Sequence, residues 1–138
     1  MRPVQIIIKS SQQTPSGRSD MQIQVEGNLT NKNDTWYLTY KEPEGTGLDN
    51  TTTTLKLEDN KVTLLRSGYT KLKQVFVLGE ITRSHYVTQY GSFEIEVDAK
   101  DIRVELLSDK GKIYLNYDLN MAGEKIEDQK LNIMFYSI

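Results

Sequence analysis

The stretch Ser84–Val97, SHYVTQYGSFEIEV, decides the fold class. In its second half, Phe93, Ile95 and Val97 alternate with acidic side chains. An alternation of period two is the pattern of a β-strand that buries one of its faces. The pattern therefore predicts a strand at the surface of a sheet, with its carboxylates on the solvent side.

The first half of this stretch carries polar groups on both faces of the predicted strand. One face holds Tyr86, Thr88 and Tyr90, and the other holds His85, Val87 and Gln89. A strand of this kind can line a cavity. The tyrosine-bearing set faces inward together with Phe93 only if a bulge or turn at Gly91 adds one residue to the alternation. Without a bulge, the set that begins with His85 is predicted to face inward.

The same alternation recurs along the whole chain, between turn signals spaced about 8–12 residues apart. The predicted strands are Val4–Lys9, Met21–Glu26, Trp36–Glu42, Thr51–Glu58, Lys61–Arg66, Leu72–Leu78, Ile81–Gln89, Ser92–Ala99, Ile102–Leu107, Ile113–Leu119 and Leu131–Ile138. The polar segment Ser10–Asp20 is predicted to be a loop and Gly27–Asp34 a turn. Between Glu42 and Asn50, a proline and two glycines interrupt the sheet pattern. Asp59-Asn60 is a two-residue hairpin signal.

About ten short strands without a helical period predict an all-β protein with consecutive strands paired as antiparallel hairpins. Closing such a meander removes both sheet edges and places every apolar face inside. The last segment, Leu131–Ile138, is apolar on both faces, which indicates a strand with a partner on each side. We therefore predict one domain, residues 1–138, that forms an antiparallel meander β-barrel of about eight to ten strands. A β-sandwich is the alternative, because its strands show the same alternation.

Composition excludes several classes of function. The chain of 138 residues contains no cysteine, which excludes disulfides, thiolate metal sites and cysteine nucleophiles and suits a reducing compartment. Its net charge is −2 and its 17 basic residues are scattered, so we expect no nucleic-acid partner. The chain shows no signal-peptide pattern and no apolar window of the ~20 residues that a membrane span needs. We therefore expect a cytoplasmic protein without a membrane partner.

Short motifs occur in a fixed order along nearly the whole chain, from Val4 to the C-terminus. They are Tyr40-Lys-Glu42, Thr54-Leu-Lys56, Leu65-Arg-Ser-Gly68, Phe76, Tyr86-Val-Thr88-Gln-Tyr-Gly91-Ser-Phe93 and Tyr117. The series resembles the YwiB-like family of small bacterial β-barrel proteins, and its most specific piece is the segment 86–93. The resemblance implies a lipocalin-like (calycin) barrel in the cytoplasm of a Firmicute-type bacterium. It implies neither a reaction nor a ligand, because the family is one of unknown function.

Arg66 shares strand parity with Val62 and Leu64, so its guanidinium is predicted to face the barrel interior. Arginine is rarely buried without a partner, because an unpaired buried charge is costly. Glu42, at the end of the face that contains Tyr40, is the predicted partner. In a lumen, Arg66 would offer a planar donor fork to a carboxylate or phosphate group of a ligand. The alternatives are a structural ion pair and an arginine at the rim that extends to water.

Four tyrosines and one threonine complete the candidate ligand site. They are Tyr40, Tyr86, Thr88, Tyr90 and Tyr117. Small barrels can hold one ligand between apolar walls and a few convergent polar groups. The alternative is that the rings fill the barrel and that the hydroxyls bond to the backbone.

The sequence predicts no catalytic residues, no metal site and no cofactor. His85 is the single histidine, and neither Ser84 nor Ser92 lies in a nucleophile pattern. We therefore expect a non-enzymatic module that binds a small anionic or amphipathic ligand. One alternative is a structural or protein-interaction domain with a filled barrel, dimeric through a sheet edge or the Glu42–Asn50 segment. A hydrolase or isomerase is the third alternative.

Overall fold

In the part of the chain that the structure describes, ten β-strands form one antiparallel sheet. A computed structural model describes residues 1–45 and 47–138. The strands are β1 (Arg2–Thr14), β2 (Gly17–Lys32), β3 (Thr35–Lys41), β4 (Thr51–Glu58), β5 (Lys61–Gly68), β6 (Leu72–Val77), β7 (Ile81–Thr88), β8 (Gly91–Leu106), β9 (Lys110–Met121) and β10 (Glu124–Ser137). Among the described residues, no helix has the length and apolar character needed to cross a membrane. The all-β prediction is confirmed.

The strands follow one another around the sheet in chain order, from β1 to β6 and from β7 to β10. The first and last strands, β1 and β10, pair from Val4–Ser137 to Gln13–Asp128. β10 also pairs with β9, so the predicted partner on each side of the last strand is confirmed. The sheet thus curls into a nearly closed barrel, and the alternative of a β-sandwich is wrong.

The core lies inside the barrel, where the apolar faces of the strands meet. Opposite residues of neighbouring strands share a face, as Ile6 and Phe135 do between β1 and β10. The most buried apolar side chains are Val4, Ile6, Leu38, Leu55, Val62, Phe76, Val97, Ile113, Leu115, Ile133 and Phe135. The alternation in the sequence therefore identified the inward face of most strands.

The loop predicted at Ser10–Asp20 and the turn predicted at Gly27–Asp34 are both wrong. β1 continues to Thr14 and β2 begins at Gly17, so only two residues connect them. The polar side chains do not prevent pairing, because the ladder uses backbone groups that every residue except proline supplies. The turn after β2 is reduced to Asn33-Asp34, both with positive φ (53° and 64°).

β8 joins two segments that the sequence separates, Ser92–Ala99 and Ile102–Leu107. A bulge between Ala99 and Asp101 shifts the register against β9. A bulge adds one residue to the alternation and so returns the next apolar side chains to the interior. The apolar residues after the bulge, Ile102 and Val104, accordingly pack against the core. This change of parity explains why the sequence predicts two strands where the structure has the single strand β8.

The β7–β8 hairpin decides between the two predicted inward faces of β7. Thr88 pairs with Gly91 and the register up to Ile81 runs without a shift, so a two-residue turn, and not a bulge, changes the parity. The turn places each even-numbered residue of β7 opposite an odd-numbered residue of β8. Tyr86 accordingly faces the interior, as predicted for a turn before Gly91, and His85 is exposed.

β6 and β7 complete the barrel with little backbone pairing. Among the described residues, a single bridge joins Lys71, just before β6, to Val87, with N–H···O distances of 2.8 and 2.9 Å. We call the remainder of this junction the β6–β7 seam and define it by Gln74, Val75, Thr82 and Ser84. Side chains rather than a ladder hold the seam together.

Gln74 is the centre of the seam and is almost completely buried. Its amide nitrogen donates to the Val75 carbonyl at 3.0 Å and to the Thr82 hydroxyl at 2.8 Å. Its amide oxygen accepts from the Ser84 hydroxyl at 2.5 Å. The Thr82 hydroxyl in turn donates to the Val75 carbonyl.

Gln74→Leu is expected to weaken the seam. It removes the hydrogen bonds of the amide and leaves the buried Ser84 hydroxyl without a partner, at a cost of about 1–3 kcal/mol in the free energy of unfolding. Urea unfolding measures this loss, and hydrogen exchange should accelerate at amides of β6 and β7 before those of β1 and β10. Gln22→Leu, at an exposed position of β2, is the matched control. Unchanged exchange in β6 and β7 would contradict the role of the side chain.

Candidate functional site

The barrel interior contains a cavity of about 420 Å³. Apolar side chains from most strands form its walls, among them Ile8, Leu55, Leu64, Leu72, Phe76, Val97, Leu119 and Ile133. One end of the cavity, called here the polar end, carries Tyr40, Glu42, Arg66, Tyr117, Glu127 and Gln129, and the lining also includes the polar residues Ser10, Gln12, Gln74 and Tyr86. Arg66 lies near the end of β5 and Glu127 near the start of β10, so the polar end is at the barrel end where β3 leads into residues 42–50.

Five of the seven predicted site residues line this cavity: Tyr40, Glu42, Arg66, Tyr86 and Tyr117. Contrary to the prediction, the other two lie outside it. Tyr90 is 85% exposed in the β7–β8 connection. The Thr88 hydroxyl accepts from the Tyr90 N–H at 3.0 Å and donates to the Gly91 carbonyl at 3.4 Å. Thr88 thus shapes the hairpin turn and does not line the cavity.

Arg66 is a cation with unused hydrogen-bonding capacity. Its Nε is buried and has no hydrogen-bond partner. Among residues 1–45 and 47–138, no ion pair joins Arg66 to a carboxylate. The predicted ion pair with Glu42 is therefore wrong. Buried polar groups in proteins almost always have partners, so an unpartnered guanidinium nitrogen beside a cavity is unusual.

Glu42 instead accepts a hydrogen bond from the Thr53 hydroxyl, at 2.7 Å from its Oε1. Thr53 lies on β4, between β3 and β5. It is opposite Tyr40 on β3 and opposite Arg66 on β5. Parity correctly placed Glu42 and Arg66 on the same face. Parity could not show that β4 lies between β3 and β5, or that the Thr53 hydroxyl on β4 donates to Glu42 in place of Arg66.

Tyr40 and Tyr117 place neutral hydroxyl groups at the polar end. Burial raises the pKa of Tyr40 far above its ordinary value, and the negative charge of Glu42 adds to this effect. Burial likewise raises the pKa of Tyr117, while the positive charge of Arg66 opposes the shift. The Tyr117 ring packs against Phe76 with 4.9 Å between ring centroids. Both hydroxyls therefore remain protonated and can donate hydrogen bonds at physiological pH.

The sequence did not identify Glu127 as a site residue. It lies opposite Leu119 of β9, immediately after a register shift between Lys125 and Glu127. Burial raises the pKa of its carboxyl group above the usual value. The alternation could have identified it, because Glu127 and Gln129 have the same parity as the inward-facing Leu131 and Ile133. The pattern is short, because the bulge between Lys125 and Glu127 ends it.

The chain is similar to known proteins over nearly its whole length. A family model described as "Domain of unknown function (DUF1934)" matches residues 6–133. The uncharacterized β-barrel protein YwiB of Bacillus subtilis (strain 168) is 26% identical over 133 residues, which cover 96% of this chain and 92% of that protein.

The fold is also found in a solved structure. The crystal structure of the YwiB protein from Bacillus subtilis matches with a TM-score of 0.90 at 25% sequence identity, covering 99% of this chain and 92% of that one. The similarity confirms the resemblance to the YwiB-like family. Because the family model spans almost the whole barrel, the chain belongs to the family described as a domain of unknown function, DUF1934.

Proposed function

We propose that the protein binds a small amphipathic anion inside the barrel. The acidic group of the ligand pairs with Arg66, and its apolar part lies along the walls formed by Leu64, Phe76 and Ile133. The observation that carries the proposal is the buried Arg66 Nε, which has no partner and belongs to the cavity lining. A carboxylate, phosphate or sulfonate would supply the acceptor that the protein does not.

The dimensions and chemistry of the cavity support this function. Ligand pockets commonly have volumes of about 300–1,000 Å³, with apolar walls and a few polar groups that orient the ligand. The cavity of about 420 Å³ falls within that range. Tyr40 and Tyr117 add two neutral donors next to the cation. A purely structural barrel would instead be filled by its own side chains, as small barrels often are.

The test uses two fluorescent probes that differ in charge. Anilinonaphthalene sulfonate (ANS) carries an apolar ring system and a permanently ionised sulfonate, and N-phenylnaphthylamine (NPN) is its neutral analogue. Arg66→Met is expected to weaken ANS binding about tenfold to a hundredfold, because hydrogen bonds to charged groups contribute about 1.5–3 kcal/mol. NPN affinity should change little, because the neutral probe does not use the guanidinium.

Arg83→Met is the matched control. Arg83 is largely exposed and pairs with Glu96 on the outer surface, so its replacement should leave the binding of both probes unchanged. Arg66→Met also takes a positive charge away from Glu42 and Glu127, which line the same cavity, so urea unfolding of the variant accompanies the binding measurements. Near-ultraviolet circular dichroism verifies the packing of each variant. Equal ANS affinity in wild type and Arg66→Met would overturn the proposal.

A further inference from the structure

The polar end carries more negative than positive charge. Arg66 contributes one positive charge, while Glu42 and Glu127 contribute one negative charge each when ionised. Tyr40 and Tyr117 are neutral. An anion placed against Arg66 therefore shares the cavity with two carboxylates, and like charges in a partly buried site repel one another. Binding of an acidic ligand becomes favourable when one of the carboxylates is neutralised.

The surroundings of the two carboxylates identify which one that is. Glu42 already accepts a hydrogen bond of 2.7 Å from the Thr53 hydroxyl. In the described part of the chain, the Glu127 carboxylate has neither a hydrogen bond nor an ion pair, and burial already disfavours its charge. Glu127 is thus the carboxylate of the two that lacks a partner among the residues that the structure describes.

The charged groups around Glu127 agree with this assignment. The titratable residues that lie with Glu127 at the polar end of the cavity are Tyr40 on β3, Glu42 directly after β3, Arg66 on β5 and Tyr117 on β9. The nearby charges outside the cavity are engaged with one another: Lys100 and Lys125 each pair with Asp118 and Asp128 at 2.8–3.3 Å. Because Lys100 and Lys125 are paired with these aspartates, neither lysine is paired with Glu127.

We propose that an acidic ligand enters the barrel together with one proton, which Glu127 holds as a neutral carboxyl group in the complex. The proton comes from solvent, and the resulting O–H can donate a hydrogen bond to the anion beside Arg66. Glu127 is in this way a specificity-determining residue, since neutral ligands require no proton. The inference rests on the proposed function of the same cavity.

Proton uptake sets the direction of the pH dependence. The bound anion stabilises the protonated form of Glu127, so the pKa of this carboxyl group is higher in the complex than in the free protein. Affinity for the anion therefore rises as pH falls through the interval between these two pKa values, by up to about tenfold per pH unit. At pH values above that interval, Glu127 is ionised in both states and the affinity is constant and weak.

The experiment compares ANS and NPN across the acidic-to-neutral range. The sulfonate does not titrate there, so a proton taken up with ANS belongs to the protein. Calorimetric titration in two buffers of different ionisation enthalpy counts that proton. We expect ANS affinity to fall with rising pH in wild type, while NPN affinity remains level. Glu127→Gln should bind ANS tightly at neutral pH without pH dependence, and the exposed control Glu94→Gln should behave as wild type.

The outcomes separate the inference from the function beneath it. A pH dependence that persists in Glu127→Gln, or that disappears in Glu42→Gln instead, would overturn the assignment to Glu127. ANS binding that depends on Arg66 but takes up no proton would overturn the inference and support the proposed function. No ANS binding by the folded wild type would overturn both.

Discussion

Phe135→Ala is expected to lower the free energy of unfolding by about 3–5 kcal/mol, the usual cost of truncating a buried phenylalanine. The ring is 1% exposed, and Phe135 lies opposite Ile6 of β1 and Gly111 of β9. A Cβ atom built on Gly111 would lie 2.3 Å from the ring, so the ring packs directly against that backbone. Truncation would leave a void where the first strand meets the last two.

Chemical denaturation measures this loss, and Tyr136→Ala is its control. Tyr136 is the next residue of β10, faces the opposite side and is 42% exposed. Replacement of an exposed residue usually changes stability by about 0.5 kcal/mol or less. Similar losses in the two variants would show that the ring of Phe135 does not have the predicted packing role.

Gly68→Ala is expected to cost about 3 kcal/mol or more, from two separate sources. Gly68 ends β5 with φ at +114°, a conformation that residues with a side chain rarely adopt. An added Cβ would also lie 2.1 Å from the carbonyl oxygen of Asn50. That oxygen belongs to the backbone and accepts from the Tyr69 N–H at 3.2 Å, so it cannot yield without breaking this hydrogen bond.

Gly91→Ala separates the two sources. Gly91 has a similar φ of +139°, but an added Cβ would meet only the Phe93 ring at 3.9 Å, an ordinary contact. Both variants bear a backbone strain of about 1–3 kcal/mol, and only Gly68→Ala adds the collision. Urea unfolding of the pair gives the difference directly. A loss in Gly91→Ala as large as that in Gly68→Ala would eliminate the collision as a cause.

Strand prediction succeeded where the ends of the alternation coincide with turn residues. Thr51–Glu58 has the same bounds in the sequence and in the structure, because Asn50 and the Asp59-Asn60 hairpin delimit it. It failed at Ser10–Asp20, where strand structure depends on partners on both sides rather than on apolar side chains. It also failed around Lys100, where the sequence predicts a break between two strands. The bulge between Ala99 and Asp101 adds one residue there, so the inward-facing positions change from odd to even numbers.

The candidate site was predictable to the extent that it depends on parity. Parity placed Arg66 and Glu42 inside, but their relation depends on Thr53, which strand order brings between them. Gln74 could not be found in this way, because a buried amide is recognisable only once its partners Thr82 and Ser84 are known. These contacts join strands that share no ladder and therefore leave no periodic trace in the sequence.

On the ribosome, β1 emerges well before its partner β10. Until β10 is available, the β1 edge that pairs with residues 128–137 is open, and this edge contains the sequence Ile6-Ile7-Ile8. Open apolar edges promote association between nascent chains, and contacts that are distant in sequence form slowly. The barrel thus closes only after β10 has been synthesised, and until then the open edge of β1 can meet neighbouring polypeptides.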